Sequence, residues 1–134
     1  MSVVLDASIV TELLVLSPLG ERAAPLVRAT GGDVHVPHLL DMEVMSVLRG
    51  LVLGGILTET RASYALTDLR DFPARRWPAT VFFERIWELR GDVTAYDANH
   101  VALAEALDAQ LITSDARLAR ALDGIARCGV TLVA

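Results

Sequence analysis

The chain has 134 residues, the length of a single domain, and a formal net charge of −5 at pH 7. All 12 basic residues are arginine, and the absence of lysine excludes a P-loop nucleotide site and a Schiff-base enzyme, both of which need a lysine amine. The apolar fraction of 53% and the mean hydropathy of +0.44 are high, yet no stretch approaches the ~20 apolar residues that cross a bilayer.

The single cysteine, Cys128, excludes an internal disulfide and a cysteine-based metal cluster. We interpret it as a small buried apolar side chain. The N-terminal sequence Met-Ser-Val-Val-Leu-Asp has neither the basic region nor the long apolar region of a secretory signal peptide. We therefore expect a cytoplasmic protein without a membrane segment, whose surplus apolar surface contacts protein partners.

The first half of the chain alternates short apolar runs with amphipathic segments. Short apolar runs predict buried strands, and apolar residues at helical spacing predict helices that end at Ser-Pro or Gly-Gly pairs. The predicted elements are strand Val3–Leu5, helix Ala7–Val15, helix Glu21–Ala29, strand Val34–Val36, helix Leu39–Leu53 and helix Thr58–Leu69.

The second half begins with a segment, Phe72–Ala79, that we predict to be irregular because it holds two prolines and an arginine pair. Beyond this segment the apolar patterns resume. They predict helix Thr80–Leu89, helix Ala98–Leu107, strand Gln110–Thr113, helix Ala116–Leu122 and strand Val130–Val133.

This alternation of strands and helices predicts an α/β fold in which residues 1–134 form one domain. We expect a central, mostly parallel sheet flanked by helices on both faces. In such a sheet the carboxyl ends of the strands share one edge with the starts of the following helices, and ligands bind at that edge.

Four acids occupy apolar surroundings, where an isolated carboxylate is costly unless it is paired or binds a metal. Asp6 ends a predicted strand, Asp115 follows another strand, and Asp97 opens a predicted helix. We therefore expect these three acids to face one crevice. Glu43 follows Leu40 by three residues on the apolar stripe of its helix, so its side chain should point inward as well.

Each of these acids also has a structural alternative. Asp6 and Asp115 are placed to cap the helices that follow them, and the pattern Thr94-x-x-Asp97 resembles a capping box. Glu43 complements the dipole of its helix, although its inward position calls for a partner. Any one alternative is acceptable alone, but the joint occurrence of the four acids at one edge favours a shared site.

Histidines are weaker candidates. His35 and His38 flank Pro37, so their spacing does not imply a shared metal. His100 lies one turn inside the helix of Asp97 and could border the crevice. All three are more typical of surface or hydrogen-bonded histidines than of metal ligands.

Aromatic and paired basic residues are also ambiguous. Phe82, Phe83 and Trp87 at helical spacing are more typical of a core or a dimer interface than of base stacking. The pair Arg75-Arg76 is either a solvated loop pair or a phosphate contact. Asp41 lies off the apolar stripe of its helix, and we interpret it as structural.

Four carboxylates without a histidine or cysteine cluster form a hard oxygen donor set, which selects Mg²⁺, with Mn²⁺ as a substitute. Clustered carboxylates repel one another, and one or two divalent ions remove that repulsion. Such a site is typical of metal-assisted phosphodiester hydrolysis. Thr113 or Ser114 could then hydrogen-bond a phosphate.

The acids lie in short segments that follow one another in a recognisable order. The segments are Val3-Val4-Leu5-Asp6-Ala7-Ser8, Pro37 with Glu43-Val44, Thr94-Ala95-Tyr96-Asp97-Ala98 running into Val101-Ala102-Leu103-Ala104, and Leu111-Ile112-Thr113-Ser114-Asp115 with Arg117-Leu118-Ala119. This ordered set resembles PIN-domain ribonucleases and, within that family, the VapC-type toxins of type II toxin–antitoxin systems. The resemblance covers essentially the whole chain.

The resemblance implies a Mg²⁺-dependent endoribonuclease, a hydrolase that cleaves tRNA, rRNA or mRNA and so inhibits translation. It implies a homodimer and an antitoxin protein whose tail covers the active site. It also implies that one acidic quartet is catalytic and binds the metal, with two hydroxyl side chains in support. The quartet is Asp6, Glu43, Asp97 and Asp115, and the supporting residues are Thr113 and Ser8.

Two positions depart from the family pattern. Ser46 stands where many relatives carry an asparagine, and Arg117 stands where some relatives carry a further acid. Two alternatives to the toxin interpretation stay open: a PIN-fold nuclease of RNA processing outside a toxin system, and a non-catalytic regulatory module. The net charge of −5 argues weakly against a nucleic-acid partner, and less so if several acids hold metal ions.

Overall fold

The computed structural model describes residues 1–134 and contains one sheet of five strands. The strands, numbered along the chain, are β1 (Val3–Leu5), β2 (Val34–Pro37), β3 (Arg75–Trp77), β4 (Gln110–Thr113) and β5 (Val130–Leu132). Their order across the sheet is β3-β2-β1-β4-β5, and every neighbouring pair is parallel. The predicted α/β class is confirmed, with a sheet that is wholly rather than mostly parallel.

Seven α-helices connect the strands. They are α1 (Ala7–Val15), α2 (Pro18–Arg28), α3 (Leu40–Leu53), α4 (Glu59–Arg70), α5 (Phe83–Glu88), α6 (Ala95–Ala106) and α7 (Ala116–Leu122). Short 3-10 turns at Ala79–Phe82 and Leu89–Gly91 flank α5. None of these helices combines the length and the apolar run that crossing a membrane requires.

Each face of the sheet carries its own apolar core. Val3 and Leu5 of β1 belong to the core shared with α1, α2, α3 and α4, whereas Val4 between them belongs to the core shared with α6 and α7. Successive side chains of a strand point to opposite faces. The central strand is therefore buried on both sides, as a parallel sheet covered by helices on both faces requires.

Strand β3 corrects the prediction of an irregular segment at 72–79. Its three residues follow β2 at the edge of the sheet, with Arg75 opposite His35 and Trp77 opposite Pro37. Two arginines in a three-residue strand carry no apolar signal, so pairing with β2 decides the conformation. The Arg75 side chain packs on the fold, because its guanidinium carbon lies 4.3 Å from the Trp77 ring centre.

Arg76 binds Asp41 in α3 through two hydrogen bonds, from Nε to Oδ2 at 2.8 Å and from the terminal nitrogen to Oδ1 at 3.0 Å. A bidentate pair of this kind fixes geometry as well as charge. It attaches the edge strand to α3. The interpretation of Asp41 as a structural acid is confirmed.

The aromatic helix predicted at 80–89 is divided into a 3-10 turn and the short helix α5. Phe82 is buried against α6, but Phe83 and Trp87 are 60% and 67% exposed. A core position is therefore wrong for these two side chains, and the other alternative, a dimer interface, stays a prediction. Helical spacing alone does not tell which face of a short helix meets the sheet.

Polar caps move the start of two helices toward the N-terminus of the chain. The Ser17 hydroxyl accepts a hydrogen bond from the Gly20 amide, so α2 begins at Pro18. The Thr94 hydroxyl accepts one from the Asp97 amide, so α6 begins at Ala95. Asp97 consequently lies in the first turn of α6 instead of opening the helix, as expected for a capping box.

Cys128 packs at the margin of the second core, where it is half-buried. Burial, with a smaller contribution from the charge of Glu105, raises the pKa of its thiol to about 11. The thiol is therefore protonated at neutral pH and unreactive. This environment agrees with the interpretation of Cys128 as a small apolar side chain.

Helices α1 and α2 approach closely at Gly20. We predict that Gly20→Ala lowers the free energy of unfolding by about 2 kcal/mol, because its Cβ would lie 2.3 Å from the backbone carbonyl oxygen of Glu12. The matched control is Gly50→Ala in α3, where a Cβ meets nothing within 4 Å. This substitution should raise the free energy of unfolding by roughly 0.5–1 kcal/mol. Urea unfolding measures both, and equal stability of the two variants would contradict the close packing.

Candidate active site

The candidate site lies at the point where the strand order of the sheet reverses, between β1 and β4. Strand β1 is central, with β2 on one side and β4 on the other, and the helices that follow β1 and β4 pack on opposite faces. A crevice forms at the carboxyl ends of two strands arranged in this way. Asp6 directly follows β1, and Asp115 lies two residues beyond β4.

Asp6 is buried, with 5% of its surface exposed. Its Oδ1 accepts hydrogen bonds from the Ser8 hydroxyl at 2.6 Å and from the Ile9 amide at 3.2 Å. Its Oδ2 accepts a hydrogen bond from the hydroxyl of Thr113 at the end of β4. Three donors therefore stabilise a carboxylate that burial alone would disfavour.

The two supporting hydroxyls tie the ends of β1 and β4 together. Besides donating to Asp6, Thr113 Oγ1 accepts the Asp115 amide at 3.0 Å. Ser8 Oγ likewise accepts the Ser114 amide at 3.1 Å. Thr113 and Ser8 thus occupy positions from which they orient Asp6 and the backbone that carries Asp115.

Asp115 caps α7 through Oδ1, which accepts the amides of Arg117 at 2.9 Å and Leu118 at 3.2 Å. None of these hydrogen bonds uses Oδ2. The Asp115 side chain is exposed at the crevice. The cap therefore leaves Oδ2 of this carboxylate without a hydrogen bond to the helix.

Asp97 and Asp115 both line a cleft of about 520 Å³. Burial raises the pKa of Asp97; the charges of Asp115 and Glu43 raise it further, while His100 and Thr94 lower it. These influences place three of the four predicted acids within electrostatic reach of one another. Larger clefts of about 720 and 640 Å³ contain none of the four acids.

Glu43 reaches the crevice from α3, on the face of the sheet opposite α6. Its Oε1 lies 2.7 Å from Nε2 of His100, a side chain that is only 1% exposed. The other ring nitrogen of His100, Nδ1, is buried without a hydrogen-bond partner. The expectation that Glu43 points inward and needs a partner is confirmed, and that partner is His100.

His100 is the site residue that sequence reasoning undervalued. Its spacing of three residues from Asp97 in α6 places both side chains on one helix face. This three-residue spacing is the sequence signal that indicates His100 as a neighbour of Asp97. The contact with Glu43 joins residues 57 positions apart, so the sequence pattern could not reveal it.

A divalent cation fits this site by donor chemistry. The four acids offer carboxylate oxygens only, the ligand type that Mg²⁺ and Mn²⁺ prefer. No three acidic, histidine or cysteine side chains are already arranged to enclose a metal ion. Thr113 and Ser8 donate hydrogen bonds to Asp6, and His100 contacts Glu43 at 2.7 Å, so two of the four acids are held in position by neighbouring side chains.

Residues 3–123 match the PIN domain family, and the chain belongs to that family. Within the family it is of the VapC type. It is 45% identical to ribonuclease VapC9 of Mycobacterium tuberculosis over 100 residues, 75% of this chain and 77% of the relative. It is 38% identical to ribonuclease VapC12 of the same organism over 118 residues, 88% and 90% of the two chains.

A solved structure shares the fold at much lower sequence similarity. The crystal structure of PAE2754 from Pyrobaculum aerophilum superposes with a TM-score of 0.69 over 97% of this chain and 83% of that chain, at 19% identity. The architecture of the sheet and its helices is therefore that of a known fold.

The Thr113 hydroxyl stabilises the junction of β1 and β4. We predict that Thr113→Val lowers the free energy of unfolding by about 2 kcal/mol, because the Asp6 carboxylate and the Asp115 amide each lose a buried partner. Thr113→Ser retains the hydroxyl and should recover most of that loss. Urea unfolding compares the two variants, and equal stabilities would show that the hydroxyl does not contribute.

The contact between His100 and Glu43 should appear as a coupling free energy. In a double-mutant cycle of His100→Leu and Glu43→Ala, we predict about 1–3 kcal/mol of coupling in urea unfolding. The control cycle pairs His100→Leu with Glu59→Ala, an exposed acid in α4, and should be additive within about 0.5 kcal/mol. Additivity in both cycles would mean that the contact carries no net energy.

Proposed function

We propose that this chain is a Mg²⁺-dependent endoribonuclease that acts as the toxin of a type II toxin–antitoxin pair and inhibits translation. The observation that carries the proposal is that Asp97 and Asp115 share one cleft at the carboxyl edge of the sheet, with Glu43 in electrostatic reach. Asp6 is tied to the same edge through Thr113. Relatives named VapC ribonucleases, up to 45% identical, support it.

The four acids would hold the metal, with Mn²⁺ as a substitute for Mg²⁺. When bound, the cation supplies Lewis acidity to the scissile phosphodiester and neutralises the repulsion among the carboxylates. Asp6 serves from a fixed position, because Thr113, Ser8 and the Ile9 amide hold both of its oxygens. His100 holds Glu43 at the edge of the crevice.

Protein partners are the second part of the proposal: a cognate antitoxin and a second copy of the chain. Apolar side chains are exposed along α3 and α4 and the turn between them, and part of this surface forms a groove of about 340 Å³. Exposed apolar surface of this kind is typical of protein interaction sites. The exposed residues are Met42, Met45, Val47, Leu53, Ile56, Tyr64 and Leu66.

Cleavage of RNA by the purified protein tests the enzymatic part. With Mg²⁺ the wild-type protein should cleave RNA, and EDTA should abolish cleavage. Asp97→Asn should reduce the rate by at least about 100-fold, since loss of a ligand exceeds the typical cost of losing an outer-shell contact. The matched control is Asp68→Asn, the same substitution at an exposed position of α4, which should cleave at the wild-type rate.

Induced expression tests the toxin part. Wild-type protein should arrest growth, Asp97→Asn should not, and co-expression of the cognate antitoxin should restore growth. Cleavage of RNA in vitro without growth arrest would favour a nuclease of RNA processing. If the protein cleaves neither tRNA, rRNA nor mRNA in the presence of a divalent metal, the proposal is overturned and a non-catalytic regulatory module is favoured.

A further inference from the structure

The cleft that Asp97 and Asp115 line also contains a third acid, Asp92, and side chains of the opposite charge. Its lining includes two arginines, Arg90 from the 3-10 turn after α5 and Arg117 from the first turn of α7. A chain of net charge −5 repels a polyanion over most of its surface. Two guanidinium groups beside the carboxylates provide the local positive charge that phosphate binding requires.

Neither of these arginines is used to neutralise an acid of the fold. Arg76 pairs with Asp41, Arg85 with Glu88 and Glu105, and Arg127 with Glu88. Arg90 and Arg117 are exposed and form no ion pair. Their charge is therefore available to a ligand in the cleft.

Arg90 is held in place by Trp87 of α5. One of its terminal nitrogens donates to the Trp87 carbonyl at 2.8 Å, and its guanidinium carbon lies 4.8 Å from the indole ring centre. Trp87 is 67% exposed, although the fold has room for buried aromatic side chains such as Phe82. The exposed indole and the guanidinium form a cation–π pair, and Arg90 also lines the cleft of the two acids.

We propose that Arg90 and Arg117 bind backbone phosphates adjacent to the scissile one, and that Trp87 together with the Arg90 guanidinium stacks a nucleobase. This inference rests on the proposed ribonuclease function and assigns the residues that contact RNA beside the acids. Bases stack on aromatic side chains and arginine planes only where they are not already stacked in a duplex. An unpaired RNA segment is therefore the appropriate probe for this surface.

Binding without cleavage tests the inference. The probe is a fluorescein-labelled, unstructured RNA of roughly 12 nucleotides, titrated in EDTA and followed by anisotropy at several salt concentrations. Arg90→Gln and Arg117→Gln should each weaken binding and reduce the slope of log K against log salt by about 0.7, the value for one lost phosphate contact on a single strand. The control is Arg28→Gln, an exposed arginine at the end of α2, which should change neither.

The stacking role is tested with Trp87→Ala and an unlabelled RNA of the same sequence. RNA should quench the tryptophan fluorescence of the wild-type protein, and Trp87→Ala should abolish most of that quenching and weaken binding about 5- to 150-fold. Trp87→Phe keeps an aromatic face and should retain most of the affinity. Phe83→Ala, which removes an exposed aromatic side chain of the same helix that lines a different cleft, should bind as wild type.

The outcomes separate this inference from the proposed function. Wild-type affinity and salt slope in both arginine variants would overturn the phosphate contacts, whether or not the wild-type protein cleaves RNA with Mg²⁺. If Trp87→Ala instead changes the sedimentation mass and leaves RNA affinity intact, Trp87 contacts a second protein copy and the stacking role is wrong. If the variants lose RNA binding as predicted but the wild-type protein never cleaves RNA, the RNA-binding surface is supported and the proposed ribonuclease function is overturned.

Discussion

The buried carboxylate of Asp6 is the constraint on which this end of the molecule depends. A charge that is only 5% exposed is costly unless donors surround it. The donors come from two directions: Ser8 and the Ile9 amide in the first turn of α1, and Thr113 at the end of β4. Satisfying one carboxylate therefore fixes the start of a helix, the end of the neighbouring strand and the spacing between them.

Helix capping and site chemistry are combined here. Asp6 caps α1, Asp115 caps α7, and Thr94 caps α6 one turn before Asp97 completes the pattern. Helix N-termini favour negative charge and gather at the carboxyl edge of a parallel sheet. The same geometry that makes an acid a good cap thus delivers it to the crevice. The capping interpretation is confirmed for Asp6 and Asp115. In Asp115 only Oδ1 serves the cap, and the role of the acids as metal ligands stays a prediction.

The acids of the crevice also depend on contacts that cross the sheet. Glu43 comes from a helix on one face and His100 from a helix on the other, and they meet at 2.7 Å beyond the strand ends. The arginines have two different roles. Arg76 and Arg85 neutralise acids of the fold, whereas Arg90 and Arg117 line the cleft without a carboxylate partner. Because all basic residues are arginine, residue type alone does not distinguish these two roles.

The elements with local signals follow from the amino-acid sequence alone. Strands β1 and β4 and helices α1 and α7 have the predicted bounds, because apolar runs and helical periodicity are set by near neighbours. The sequence also placed three acids at one edge, since parallel topology brings strand ends together. Three features depend on distant residues and arise only in the folded chain: the charged strand β3, the exposure of Trp87, and the pairing of Glu43 with His100. Those outcomes depend on which surfaces meet when the chain packs, and no local pattern encodes that.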